Sequence, residues 1–212
     1  MQYSINMEKI VTKNGNNVEL RLPKDNDFDI LVIGVVHGEE PQGKFLIDRY
    51  LNINPETRLA FIPALNPDGM ALGQRVNANL VDLNRNFPTA NWALTEKNEF
   101  WGGNAPASEL ETRFVVDIIE KYSPKLILTL HAPFKIVNYD GPAKHYAERI
   151  SELVGYPVQA DIGYSTPGSF GTYAGIEKGI PTITLELDEE CDKEALIEPV
   201  FKVFNYLESL IL

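Results

Sequence analysis

Two histidines and a glutamate carry the clearest chemical suggestion in the chain. His37 and Glu40 are spaced H-x-x-E, and His131 lies far downstream. One apolar run, Leu31 to Val36, stops at His37, and another, Leu126 to Leu130, stops at His131. The chain has 3 histidines among 212 residues, so two of them ending buried strands is a notable concentration. Two imidazoles and one carboxylate, with a position left for water, make an open zinc site of the hydrolytic type. Taken alone, the H-x-x-E pair is more readily read as a strand-end histidine satisfied by backbone, because two-residue motifs are cheap. His145 falls in a surface helix pattern and reads as structural.

Glu186 is the next anomaly. It interrupts the apolar run Thr182–Leu187, where an unpaired carboxylate is costly. Strand alternation puts Thr182, Thr184 and Glu186 on one face and Ile183, Leu185 and Leu187 on the other. If that first face is solvated, Glu186 is unremarkable. If both faces are covered, it is positioned as a general base for water and a proton donor to a leaving amine. Glu39, Glu189 and Glu190 read as solvated.

The segment from Arg75 to Pro88 gathers polar groups where no helix or strand is predicted. Asn84 and Arg85 suit the grip of an anionic substrate group, and Arg75 suits stabilisation of an oxyanion. Asp82 suits the second ring N–H of a metal-bound histidine. A solvated loop with one surface ion pair explains the same residues.

These groups need elements to hold them. Val18, Leu20 and Leu22 alternate with polar residues after Asn14-Gly15, which predicts a hairpin or irregular start over residues 1–23. The runs at 31–36, 59–65, 126–130 and 182–187 predict buried strands. Helical spacing predicts helices over 42–52, 108–122, 142–154, 172–178 and 196–210, the second opened by a Ser108/Glu111 capping box with Leu110 on its apolar stripe. Asn66-Pro-Asp-Gly69 predicts a turn, and residues 70–107 a long irregular and functional stretch. Alternating strands and helices predict an α/β domain, a mostly parallel sheet with helices on both faces, spanning 1–212 as a single unit. In such a sheet the site lies at the carboxyl ends of the strands, where His37, Asn66 and His131 all fall.

Bulk properties narrow the partners. A net charge of −11, with 30 acidic against 19 basic residues, argues against nucleic acid and anionic membrane surfaces. No apolar run reaches the ~20 residues of a membrane helix, and the N-terminus has no secretory apolar region. A lone cysteine, Cys191, excludes an intramolecular disulfide. Cytoplasmic location is the expectation.

Taken in order, H-G-E-E at 37–40, N-P-D-G at 66–69, R-V-N-A-N at 75–79, D-L-N-R-N-F-P at 82–88, S-E-L-E-T at 108–112, T-L-H at 129–131 and T-L-E-L at 184–187 resemble the zinc metallocarboxypeptidase family. The resemblance implies a mixed eight-stranded sheet flanked by helices. It implies one zinc ion on His37, Glu40 and His131, with Glu186 as catalytic base. Arg75 resembles the arginine that polarises the scissile carbonyl, and Asn84 and Arg85 the pair that binds a terminal carboxylate. Tyr164 lies about where the family keeps a mobile tyrosine, with Tyr173 as the lesser candidate.

The stretches 75–92 and 163–173 look like a bacterial branch that cleaves muropeptides between γ-D-glutamate and meso-diaminopimelate. Ala132 and the following PFKIVNYDGPA depart from that branch, and Leu110 from the wider family. Diaminopimelate's second ammonium and carboxylate need further polar partners. Thr166, Ser169 and Thr172 are candidates, with Phe170 as a wall of the pocket; a plain loop is the competing reading. Other functions consistent with these residues are an N-acyl-amino-acid hydrolase of the aspartoacylase or succinylglutamate desuccinylase kind, and a non-catalytic muropeptide-binding protein.

Overall fold

Every side chain from Ile30 to Gly34 is buried, so the strand formed there has no solvent face. Ile30 and Val32 enter one core layer, Leu31 and Ile33 the other. A strand covered on both faces sits at the centre of a sheet. The computed structural model describes residues 6–161 and 163–211, so residues 1–5 of the expected N-terminal start lie outside the described residues.

The strands are β1 (Asn6–Val11), β2 (Asn17–Leu22), β3 (Ile30–Gly34), β4 (Ala60–Ile62), β5 (Leu126–His131), β6 (Ile136–Asp140), β7 (Val158–Gln159) and β8 (Thr182–Glu186). They form one sheet in the order β1-β2-β4-β3-β5-β8-β6-β7. The central strands β4, β3, β5 and β8 run parallel. The β1–β2 hairpin joins one side antiparallel through β2 and β4, and β6 joins the other antiparallel to β8. The helices are α1 (Gln42–Ile53), α2 (Pro67–Leu72), α3 (Leu110–Tyr122), α4 (Lys144–Val154) and α5 (Ile197–Ser209). One face of the sheet is covered by Leu46, Ile47 and Tyr50 of α1, Ala147 and Ile150 of α4, and Val200, Val203, Phe204 and Leu207 of α5. The other is covered by Phe114, Val115, Ile118 and Ile119 of α3, with Phe87, Phe170 and Tyr173. Among the described residues no helix is long and apolar enough to cross a membrane.

Several local expectations are corrected. Asn66-Pro-Asp-Gly69 is the start of α2, because the Asn66 Oδ1 accepts the Gly69 N–H and Pro67 takes the first helical position. The Ser108/Glu111 capping box does not form. Glu109 precedes α3 without a side-chain cap, Ser108 Oγ donates to Glu109 Oε1, and Glu111 Oε1 accepts from Asn77. Tertiary partners thus take both side chains. Leu110 is 47% exposed and off the apolar stripe. The loop expected before α4 contains β6, which pairs with β8 over five residues. Apart from the end of α2 and one 3-10 turn, Leu83–Arg85, residues 70–107 carry no helix or strand.

Candidate active site

Parallel strands deliver their carboxyl ends to one edge of the sheet, and the chemistry-bearing side chains collect there. Val35 takes a left-handed φ of 51° immediately after β3, which turns the chain out of the sheet and brings His37 and Glu40 round before α1. His131 is the last residue of β5 and stands opposite Glu186 of β8 in the parallel register. Residues 129, 131, 184 and 186 share a face, as alternation requires; Thr129 Oγ1 lies 3.1 Å from Thr184 Oγ1. Ile183, Leu185 and Leu187 enter the core on the other face.

Three ligand atoms converge. His37 Nδ1 lies 2.7 Å from Glu40 Oε1, His131 Nδ1 lies 3.0 Å from Glu40 Oε2, and the two Nδ1 atoms are 3.3 Å apart. All three residues are buried. Two like ring nitrogens facing each other across a carboxylate need a proton or a cation between them. Ligand atoms about 2.1 Å from a tetrahedral zinc ion stand about 3.4 Å apart, so the donor set fits a small divalent cation in both spacing and chemistry. The protein alone shows the same demand for positive charge. Burial pushes His37 down, but Glu40 and Asp82 outweigh it and raise its pKa to about 9. Burial pushes Glu40 up, but His37 and His131 outweigh it and bring it down to about 2.

Asp82 stands behind His37. It is fully buried. Its Oδ1 lies 3.3 Å from His37 Nε2 and accepts the Asn84 N–H at 2.8 Å, while its Oδ2 takes Arg75 Nε and Nη2 at 3.0 and 2.9 Å. Burial opposes ionisation, but His37, Arg75 and Arg85 overcome it and hold the carboxyl well below the usual range. One side chain therefore orients a ring of the His-Glu-His cluster, an arginine and the Asn84 backbone.

Glu186 faces the cluster with 9% exposure, and among the described residues its buried Oε2 has no hydrogen-bond partner. Burial raises its pKa and Glu40 adds to the rise, while His131, His37 and a hydrogen bond from the Phe134 backbone N–H pull it down. A carboxyl so placed, facing the His-Glu-His cluster with one oxygen free, can both take and return a proton.

These groups line a cleft of about 730 Å³, together with Arg75, Asn84, Arg85, Tyr164, Thr166, Ser169 and Phe170. Asn84 Oδ1 accepts the Phe170 N–H, which leaves its amide N–H2 as the group it offers. Arg85 is anchored by Nη1 on the Asn84 carbonyl. Tyr164 is 51% exposed at the rim. Tyr173 is buried and stacked on Phe87, so it belongs to the core and not to the cleft. Thr172 holds the Ser169 hydroxyl at 2.9 Å and is not part of the lining. His145 is exposed on α4 and packs on Tyr146.

Asp140 is the most buried of the acidic lining groups that the sequence did not single out. Asp140 ends β6 inside the cleft, half-buried, with no hydrogen bond or ion pair from its carboxyl among the described residues, and burial alone raises its pKa. It fits because the π-helical segment Gly171–Glu177 packs glycines on it. A Cβ at Gly171 would lie 2.1 Å from Asp140 Oδ2, and one at Gly175 would lie 2.3 Å from its Cβ. The recoverable signal was the pair of glycines, Gly171 and Gly175, four residues apart in a helical segment, where a side chain from another element can approach closely.

Comparison with known proteins places the chain in a family. The zinc carboxypeptidase profile matches residues 11–152. Murein peptide amidase A of Escherichia coli K12 is 31% identical over 191 residues, covering 84% of this chain and 78% of that protein. Its counterpart from Vibrio campbellii is 33% identical over 172 residues, covering 74% and 68%. The crystal structure of murein-tripeptide amidase MpaA from E. coli O157 superposes with a TM-score of 0.85 at 25% identity, covering 98% of this chain and 93% of that one. Carboxypeptidase A of Helicoverpa armigera shares the fold, with a TM-score of 0.77 at 15% identity, over 98% and 69%. The ordered motifs, the mixed eight-stranded sheet and the buried His-Glu-His cluster at its edge have a common explanation: the chain is a hydrolytic enzyme that belongs to the zinc carboxypeptidase family.

Proposed function

We propose that this chain is one catalytic domain that hydrolyses the amide bond between γ-D-glutamate and meso-diaminopimelate in muropeptides, with one zinc ion held by His37, Glu40 and His131. The observation that carries the reading is Glu186, a buried carboxyl facing the His-Glu-His cluster from the paired strand, whose Oε2 has no hydrogen-bond partner among the described residues. The names of the amidase relatives support the substrate class.

When bound, zinc supplies Lewis-acid polarisation and makes water acidic enough to attack at neutral pH. Glu186 takes the proton of the attacking water and returns it to the departing amine. Arg75 donates to the carbonyl oxygen as negative charge develops on it. Asn84 and Arg85 hold the carboxylate next to the departing amine, which confines cleavage to a terminal residue. Tyr164 closes the rim over it, and Ser169 and Phe170 shape the wall. Asp82 keeps His37 and Arg75 in place.

Asp140 extends the reading to the far end of the substrate. A partly desolvated carboxyl without a cationic partner among the described residues suits an ammonium group, and diaminopimelate carries one at its distal centre. A cytoplasmic setting belongs to the same proposal, and a single cysteine suits a reducing compartment.

Mass spectrometry after incubation with L-Ala-γ-D-Glu-meso-diaminopimelate tests the proposal. Zinc-loaded protein should release free diaminopimelate and leave L-Ala-D-Glu, and a chelated control should not. Release of an acyl group from N-acyl amino acids, with the tripeptide untouched, would replace this reading with the acyl-amino-acid hydrolase.

A further inference from the structure

Two segments of the cleft wall carry its arginines. One runs from Arg75 to Asp82 and the other is the turn at Asn84–Asn86. Neither is part of the sheet, and both meet Glu109, a residue outside the cleft that precedes α3.

Glu109 is 5% exposed. Its Oε2 accepts Asn77 Nδ2 at 2.8 Å and Asn79 Nδ2 at 2.7 Å, and its Oε1 accepts Ser108 Oγ at 2.7 Å. Asn77 in turn builds the loop. Its Oδ1 accepts the Asn79 and Val81 N–H groups, and its backbone N–H donates to the Val81 carbonyl. The Arg75 side chain then closes the segment on Asp82. The Glu109 backbone N–H donates to Asn86 Oδ1 at 3.1 Å. Asn86 Nδ2 ties the neighbouring chain at Gly102, Ala105 and Ser108. The carboxylate therefore fixes the Arg75 segment while the amide of the same residue fixes the Arg85 turn.

We propose that Glu109 is a positioning residue that sets Arg75 and Arg85 relative to one another. Its carboxylate suits the role because it accepts three donors on two oxygens without a competing cation. An amide offers one acceptor oxygen and would present N–H2 to at least one of those donors. Displacement of catalytic groups by about 1 Å costs about 100-fold in rate. The inference rests on the roles proposed above for Arg75 and Arg85, so its test includes a measurement that does not depend on turnover.

The experiment compares zinc-loaded wild-type protein with Glu109→Ala, Glu109→Gln and Asn79→Ala. Asn79 is exposed, so loss of its side chain leaves the fold intact and keeps the test open even if Glu109→Ala does not fold. Two readouts are taken: the Nε–H resonances of the arginines by NMR, and kcat and KM per folded molecule on the tripeptide.

The expected result for Glu109→Ala, which removes the carboxylate and keeps the backbone amide on Asn86, is a shift of the Arg75 signal larger than that of Arg85, a loss in kcat/KM of about 10- to 100-fold, and zinc affinity within about twofold of wild type. Glu109→Gln should recover part of the loss, and Asn79→Ala should move the Arg75 signal with a smaller loss. Unchanged arginine signals in a folded Glu109→Ala protein, or in Asn79→Ala where the former does not fold, would overturn the proposal. So would kinetics that match wild type once corrected for the folded fraction. If wild-type protein fails to cleave the tripeptide while the signals still shift, the substrate reading fails and the positioning role stands.

Discussion

Asp82→Asn tests how the site is held together, because this carboxyl joins His37, Arg75 and Asn84 in a buried position. Asparagine keeps the shape and removes the charge. If its oxygen faces Arg75, its N–H2 is pressed against the Asn84 N–H and the His37 ring. If it is turned over, the N–H2 confronts two guanidinium N–H groups at 2.9 and 3.0 Å. Either orientation leaves a buried donor without an acceptor, at about 1–3 kcal/mol. Removing one partner of a buried charge pair costs about 3–5 kcal/mol, and Arg75 is shielded enough for that scale to apply, with a side-chain exposure of 16%. The two figures describe the same disruption, so they are not added. About 3–4 kcal/mol lowers the melting temperature of a chain this size by about 10 °C. Loss of the carboxylate behind a ligating histidine also weakens metal binding by about 10- to 100-fold. Thermal unfolding of chelated protein and a competitive zinc titration read the two effects separately. A melting temperature within about 2 °C of wild type, with unchanged zinc affinity, would refute the idea that Asp82 holds this side of the site.

Glu186→Gln should bind zinc with wild-type stoichiometry and lose at least about 1,000-fold in kcat, because one group both accepts and returns the proton; metal content and steady-state kinetics together decide it. Asp140→Asn should raise KM for a diaminopimelate-ended substrate by about 10- to 100-fold with little change in kcat, given a Coulomb energy of about 4 kcal/mol at 4 Å before desolvation is subtracted. An equal KM for wild type and variant would remove Asp140 from substrate recognition. Chelated protein should lose stability as pH rises. Folding raises the His37 pKa from 6.5 to about 9, so its charged form stabilises the fold fully below 6.5 and that contribution disappears as pH passes 9. Melting curves across that window should fall more steeply for chelated than for zinc-loaded protein, and a flat profile for chelated protein would contradict the assignment.

Much of this architecture was legible because its strongest signals are local. Strands buried on both faces read as unbroken apolar runs, and an ionisable residue at the end or in the middle of such a run stands out, as His37, His131 and Glu186 do. Features set by distant partners were not legible. Ser108 and Glu111 have the spacing of a helix cap, but Glu109 and Asn77 claim them in the folded chain. Ile136–Asp140 mixes Asn and Asp into a short strand and lies beside β8 only because β8 is there to pair with it. Missing that strand concealed Asp140, whose place in the cleft depends on the glycines packed against it.

The pairing of residue 131 with residue 186 has an evolutionary consequence. A single-residue insertion or deletion within either strand would reverse the side chains beyond it and turn His131 or Glu186 into the opposite core layer. The irregular segments that supply the arginines and the rim face no such parity constraint. Changes of length should therefore accumulate in those segments as substrate preference diverges, and the two strands should keep their spacing.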